Sequence, residues 1–230
     1  MMHRVALRLA RDLDAFAFPQ ACPGCGAPAE PARLLCAACR AAIPRLPVAL
    51  CARCLGRGRE PVGCVSHPSH VVWAAWVYDE RAACMVHALK YGGRPALASA
   101  LGEVLAAALP AAARPDLVLE VPLHPTRRRE RGYNQAALLA DAAAERLGVP
   151  RLSAALIRVR GTAPQARLDP LSRRANVAGA FRVRQPAALR GRSVLIVDDV
   201  VTTGATLEAC LDALAVAGAR PAGLALAWAQ

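Results

Sequence analysis

Apolar positions in this chain follow two alternating patterns from about residue 71 onward. Continuous apolar runs at residues 71–78, 117–121, 194–197 and 224–228, with a shorter run at Phe181–Val183, read as strands buried on both faces, because a half-solvated strand would alternate apolar with polar. Between them, residues 80–90, 95–109 and Gln135–Leu147, and the stretch carrying Leu207, Leu211 and Leu214, place alanine and leucine at helical spacing. Strands alternating with helices predict an α/β fold, a doubly wound, mainly parallel sheet whose ligands bind outside the carboxyl ends of its strands. Residues 158–176 interrupt this with a polar, turn-rich excursion that reads as a lid or hood.

Upstream of residue 71 the pattern changes. Residues 4–16 place Val5, Leu9, Leu13 and Phe16 on one helical face and Arg4, Arg8 and Arg11 on another. This short basic amphipathic helix either packs on its own domain or makes a peripheral contact with anionic lipid. The chain is therefore expected to divide into an N-terminal helix at residues 1–20, a small cysteine-rich domain at residues 21–70 and the α/β domain at residues 71–230.

Composition adds three constraints. A chain of 230 residues that is 55% hydrophobic and 4% aromatic can bury one aliphatic α/β core and still carry an appendage, which excludes a disordered chain. No apolar run approaches the roughly 18 residues of a membrane span, and Arg8, Arg11, Asp12 and Asp14 interrupt any signal-peptide core, so a cytoplasmic location is expected. The net charge of +12 invites an anionic partner, nucleic acid or lipid. Lys90 is the only lysine among 29 basic residues, which singles it out.

Nine cysteines without a secretory signal argue for metal or thiol chemistry over structural disulfides. Cys22 and Cys25, then Cys36 and Cys39, form two Cys-x2-Cys knuckles that together supply a closed tetrahedral thiolate shell for a structural Zn²⁺. Redox pairing of the same thiols is the simpler alternative. Cys51, Cys54 and Cys64, with His67 or with His70 three residues on, make a second set of three Cys and one His for a further zinc ion.

The most informative stretch is residues 194–206: four apolar residues, Asp198 and Asp199, two apolar residues, then Thr202, Thr203, Gly204, Ala205 and Thr206 ahead of a helix. The carboxylates mark where the strand leaves the core. A glycine turn at a helix N-terminus holds phosphate, because unpaired N–H groups and the helix dipole both favour an anion there. The carboxylates suit a sugar's vicinal hydroxyls, so a phosphorylated ribose fits; a strand ending in a capped helix is the bland reading. Lys90 stands beside a Gly-Gly turn, where it can neutralise a helix C-terminus or reach a pyrophosphate. Arg127, Arg128, Arg129 and Arg131 form a cationic loop after the 117–121 strand, suited to bidentate pyrophosphate contacts.

Residues 194–206 resemble the 5-phosphoribosyl-1-pyrophosphate signature of type I phosphoribosyltransferases across all thirteen positions. Together with the cysteine-rich start, Ala88-Leu89-Lys90-Tyr91, residues 121–125, Arg131-Gly132-Tyr133-Asn134-Gln135, Thr162 with Gln165, and Arg173 with Asn176, the chain resembles the ComF family from about Cys22 to its end. His67 departs from the pattern, since a ribbon of this type more typically carries cysteine there.

The resemblance implies a type I phosphoribosyltransferase fold with an N-terminal double zinc ribbon and, for some members, a role in DNA uptake during natural competence. It implies binding of 5-phosphoribosyl-1-pyrophosphate with Mg²⁺: the 5-phosphate on Thr202, Thr203, Gly204, Ala205 and Thr206, the ribose hydroxyls on Asp198 and Asp199, and the leaving pyrophosphate facing Lys90, Arg127 and Arg131. Two other roles stay open. One is a salvage transferase; the other is a non-catalytic adaptor that binds single-stranded DNA beside a DNA-import helicase, with Tyr133 and the tryptophans as stacking surfaces. No residue announces the acceptor, so enzyme status stays less defined than ligand binding.

Overall fold

The structure, a computed structural model, describes residues 21–22, 24–28, 35–46, 49–54, 64, 66–91, 97–160, 175 and 177–229. The helix expected at residues 1–20 lies outside these residues, as do Thr162, Gln165, Arg173 and Asn176 of the expected lid.

The described elements run α1 (Ala37–Ala42), β1 (Leu50–Cys51), a 3-10 turn (Pro68–His70), β2 (Val71–Val77), α2 (Glu80–Tyr91), α3 (Leu97–Ala108), β3 (Leu117–Glu120), α4 (Pro125–Arg131), α5 (Gln135–Leu147), β4 (Leu156–Arg158), β5 (Phe181–Val183), α6 (Pro186–Leu189), β6 (Ser193–Val201), α7 (Ala205–Val216) and β7 (Arg220–Trp228). The main sheet has the order β1-β2-β7-β6-β3, parallel throughout except for β1, which pairs antiparallel at the edge. β4 and β5 form a separate antiparallel pair, the described part of the hood.

Alternation along β6 explains why its apolar run is continuous. Leu195 and Val197 join one buried cluster with α2, α3 and α5, while Val194 and Ile196 join a second with α7 and the hood. Both faces of the strand are therefore covered, as a parallel sheet requires. The cysteine-rich segment contributes to both clusters: Cys22, Leu35, Cys39 and Ile43 to the first, Leu50 and Ala52 to the second.

Two expectations change. β6 does not end at Val197; it continues through Asp198 and Asp199 to Val201, because Asp198, Val200 and Val201 pair with Ala225, Ala227 and Trp228 of β7. The cationic stretch after β3 is a helix rather than a loop. His124 caps it by accepting from the Thr126 N–H, Pro125 opens it, and Gly132 closes it in the left-handed region at φ 82°. α5 starts where the sequence places it because the Asn134 side chain accepts from the Ala136 N–H and donates to the Val121 carbonyl at 3.0 Å, tying the helix start to the end of β3.

α3 and α5 approach closely at Gly102, where an added Cβ would lie 2.6 Å from the Ala142 Cβ and 2.9 Å from its backbone carbonyl. Gly102→Ala gains about 1 kcal/mol of helix propensity but forces the helices apart at an overpacking cost of about 1–3 kcal/mol. Urea denaturation is expected to show a net loss of stability. A more stable variant would mean that the two helices do not approach this closely.

Candidate functional site

The carboxylate pair lies inside the β6 ladder, near its carboxyl end. Each carboxylate accepts the backbone N–H of the next residue, Asp198 from Asp199 and Asp199 from Val200, both at 2.8 Å. Asp199 is buried, and its Oδ2 lies 2.7 Å from the Lys90 ammonium at the end of α2. A desolvated carboxylate requires such a partner. Burial pushes the Asp198 carboxyl up to about 8; the charge of Asp199 adds to this, while the Asp199 N–H and Lys90 pull it back.

After β6 the chain turns through Thr202 and Thr203 to Gly204, the N-cap of α7, which sits at φ 73°. The Thr203 hydroxyl is buried with no hydrogen-bond partner, although buried hydroxyls are ordinarily satisfied. It stands at the start of a 12-residue helix whose first N–H groups have no intrahelical acceptor, so the loop offers several donors for one anion. Thr202 is exposed, Thr206 partly exposed and Ala205 buried.

Lys90, Arg127 and Arg131 converge. Together with Tyr91, Glu130 and Tyr133 they line a cavity of 240 Å³. The Tyr133 hydroxyl donates to the Leu89 carbonyl, fixing the last turn of α2 beside the cavity. Arg131 donates to the Gln135 side chain and to the Tyr91 hydroxyl at 3.4 Å, with its guanidinium 5.0 Å from the Tyr91 ring centre. Arg127 pairs with Glu130 at 3.2 Å across exposed surface.

The structure also brings to the site residues that the sequence reading missed. The Ala52 carbonyl packs on Gly204 so tightly that an added Cβ there would lie 2.1 Å from its oxygen. Arg53 donates to Glu208 at 2.8 Å and to Asp212 at 3.2 Å on α7, and His70 Nε2 meets Asp212 at 2.9 Å. With partners about 150 residues apart, no local pattern announces these contacts. Of the tryptophans offered as stacking surfaces, Trp76 and Trp228 are buried in the core, 2% and 7% exposed, while Trp73 is partly buried and packs against it.

Both cysteine sets assemble. In each of the groups Cys22, Cys25, Cys36, Cys39 and Cys51, Cys54, Cys64, His67, the four candidate ligand atoms lie within 4.8 Å of one another. Tetrahedral zinc with Zn–S bonds of about 2.3 Å spaces its sulfurs about 3.8 Å apart. Cys25 and Cys36 are 3.6 Å apart, Cys54 and Cys64 are 3.8 Å apart, and His67 Nδ1 lies 3.5 and 3.6 Å from Cys64 and Cys51. Both groups therefore suit a structural zinc ion, and His67 is the fourth member of the second, while His70 is turned toward α7. The His67 ring holds the Cys64 thiol down at about 7. Among the described residues, no helix is long and apolar enough to cross a membrane.

This architecture defines an α/β phosphoribosyltransferase-type domain, and residues 134–230 match the family model described as the phosphoribosyl transferase domain. The matched range contains the carboxylate pair and the glycine turn; Lys90, Arg127 and Arg131 precede it. The chain is 36% identical over 187 residues to the DNA utilization protein YhgH of Salmonella typhi, covering 75% of this chain and 80% of that protein. It is 39% identical over 95 residues to the competence protein F of Haemophilus influenzae, covering 41% of this chain and 42% of that one. A solved structure titled as the allosteric regulatory enzyme of purine biosynthesis overlaps 61% of this chain and 30% of its own, at 23% identity and a TM-score of 0.41, too loosely to carry an argument. The chain belongs to the ComF/YhgH family.

The raised Asp198 pKa sets a pH dependence. The folded protein keeps this proton up to about pH 8, whereas the unfolded chain releases it near 3.8, so unfolding releases a proton between these values and stability falls as pH rises through them. Asp198→Asn removes the effect. Its melting temperature should exceed that of the wild type at pH 8 and converge with it near pH 4; a variant equally less stable at both values would refute the buried, protonated carboxyl. Elemental analysis of the metal sites should give two zinc ions per chain, falling to one in Cys25→Ser and one in Cys64→Ser. Unchanged zinc content in either variant would remove that cluster as a site.

Proposed function

We propose that this protein binds 5-phosphoribosyl-1-pyrophosphate with Mg²⁺ and transfers its phosphoribosyl group, in a role connected with DNA uptake or use. One observation carries the reading: a buried, unpartnered Thr203 hydroxyl in a glycine turn at the α7 N-terminus, close in the chain to a pair of carboxyl groups of which the buried one, Asp199, meets a lysine. In this reading the 5-phosphate takes the donors of residues 202–206, and Asp198 and Asp199 accept from the ribose hydroxyls. Lys90, Arg127 and Arg131 receive the pyrophosphate in the cavity they share. Mg²⁺ carried in with the ligand would supply further neutralisation of its phosphate charge.

Loss of pyrophosphate builds positive charge at the anomeric carbon. The Asp199 carboxylate lowers the energy of that charge, and Lys90, Arg127 and Arg131 do the same for the departing anion. Lys90 serves both ends in turn. Without ligand its ammonium offsets Asp199, and with ligand it is available to the pyrophosphate while Asp199 turns to the ribose.

The connection with DNA comes from the names of the relatives and from the net charge of +12. A purely nucleic-acid-binding adaptor draws on the exposed arginines of α4, but burial withdraws Trp76 and Trp228 from the aromatic platform that such binding uses.

Calorimetry with 5-phosphoribosyl-1-pyrophosphate in Mg²⁺ is the direct test. Wild-type binding is expected, with Asp199→Asn and Lys90→Ala each at least about tenfold weaker, the scale of one lost charge-assisted hydrogen bond. Pyrophosphate should be released when a pool of bases or amines is added. Absence of wild-type binding, or equal binding by both variants, would overturn the reading.

A further inference from the structure

Two arms of the chain run from the second cysteine cluster to α7. The first is the turn from Cys51 to Cys54, and both of its inner residues reach the helix. The Ala52 carbonyl seats against Gly204, and Arg53 donates to Glu208 at 2.8 Å and to Asp212 at 3.2 Å. The second arm runs from Cys64 and His67 through the 3-10 turn to His70, whose Nε2 meets Asp212 at 2.9 Å. One hydrogen bond joins the arms, the Ala52 N–H donating to the His70 carbonyl at 2.9 Å. Ala52 and His70 are both buried, so water does not readily replace this contact.

Both arms end on the first turns of α7, beside the glycine turn that offers donors to an anion. Glu208 lies in the first turn, where its carboxylate suits the helix dipole but repels an anion entering at the same end. Arg53 offsets that charge. The Glu208 N–H donates to the Gly204 carbonyl at 2.8 Å, so a shift at Glu208 is felt in the glycine turn itself. An ion shared by three sulfurs and an imidazole nitrogen would tie the origins of both arms to one point. The first cluster has no such path. Cys22 and Cys39 pack with α2 and α3 in the other buried cluster, which holds no described residue of α7.

We infer that the second cluster and the glycine turn are coupled: zinc held by Cys51, Cys54, Cys64 and His67 favours a sugar phosphate at the α7 N-terminus, the sugar phosphate retains the zinc, and Arg53 links them. Metal occupancy therefore sets the affinity of the turn for its ligand, and by linkage the effect runs equally in both directions. Arg53 is a positioning residue, acting through Glu208 and the turn. The sugar phosphate rests on the function proposed above; the path from the cluster to α7 rests on geometry alone.

Zinc release from the loaded full chain to a chromogenic chelator tests it, with saturating ribose 5-phosphate, with neutral ribose, or with neither. The phase missing from Cys64→Ser belongs to the second cluster, and the phase missing from Cys25→Ser to the first. Ribose 5-phosphate should slow release from the second cluster about fivefold or more, the lower end of ordinary coupling between sites, and leave the first within about twofold. Ribose should change neither. Arg53→Ala, at a half-exposed position outside both clusters, should keep two zinc ions and lose the slowing. Arg53→Lys, which returns a positive charge beside Glu208, should regain part of it. Equal slowing of both phases would mean a general tightening of the fold and overturns the inference. So does slowing that survives Arg53→Ala, or an unchanged second phase while calorimetry shows ribose 5-phosphate bound. If calorimetry shows no binding of ribose 5-phosphate or of 5-phosphoribosyl-1-pyrophosphate, the function proposed above fails and the coupling fails with it.

Discussion

Two carboxylates held inside a parallel ladder are the constraint from which the rest of the site follows. β7 runs alongside β6 as far as Val201, so Asp198 and Asp199 are drawn into the sheet, Asp198 partly and Asp199 almost wholly out of water. Left alone, such a pair would be costly, because desolvation and mutual repulsion act in the same direction. The structure relieves this in two ways. Asp198 is held toward its neutral form, with its pKa raised to about 8, and Asp199 takes the Lys90 ammonium at 2.7 Å. Lys90 in turn depends on the final turn of α2, which Tyr133 fixes by donating to the Leu89 carbonyl. A charge problem in one strand is thereby tied to the position of a helix end and of Tyr133, two residues past α4.

The cysteine-rich segment belongs to the same arrangement. Cys51 and Cys54 bracket Ala52 and Arg53, the residues that press on Gly204 and bind Glu208 and Asp212. An ion coordinated by those cysteines would fix the turn between them and so fix the wall behind the phosphate loop. At Gly204 the positive φ and the closeness of the Ala52 carbonyl impose the same requirement from two directions, and only glycine satisfies both. The cysteine-rich segment thus backs the loop through Ala52 and Arg53.

What could be read from the sequence followed how local each interaction is. The four apolar residues of β6, the bounds of α5 and the paired cysteine knuckles are short-range patterns, and the structure reproduces them. The extension of β6 through its carboxylates was not legible, because it is stabilised by pairing with Ala225, Ala227 and Trp228 rather than by its own residues. α4 was hidden because a helix of seven residues dominated by arginine has no apolar face to give it periodicity; its caps, His124 and Gly132, were the available signal. β1 is two residues long and takes its identity from β2. Arg53 and the Arg151–Glu120 pair were beyond reach, since both depend on partners brought close only by the fold.

α4 then stands as a charged partition rather than a stray basic run. A seven-residue helix with four arginines would ordinarily be solvated surface, and Glu130 offsets only Arg127. Its placement changes that reading. β3 ends at Glu120, Asn134 ties the far side of the helix back to Val121, and the hood closes one flank while α2 closes the other. Held at both ends, the helix cannot turn its arginines away together, so some face the cavity beside Lys90 whatever the solvent would prefer. Asp199 supplies a negative charge near the carboxyl end of β6, and α4 sets positive charge beside Lys90, its ion-pair partner. That separation of sign within a short span is the electrostatic pattern needed by a reaction that creates a cation and an anion from one activated sugar.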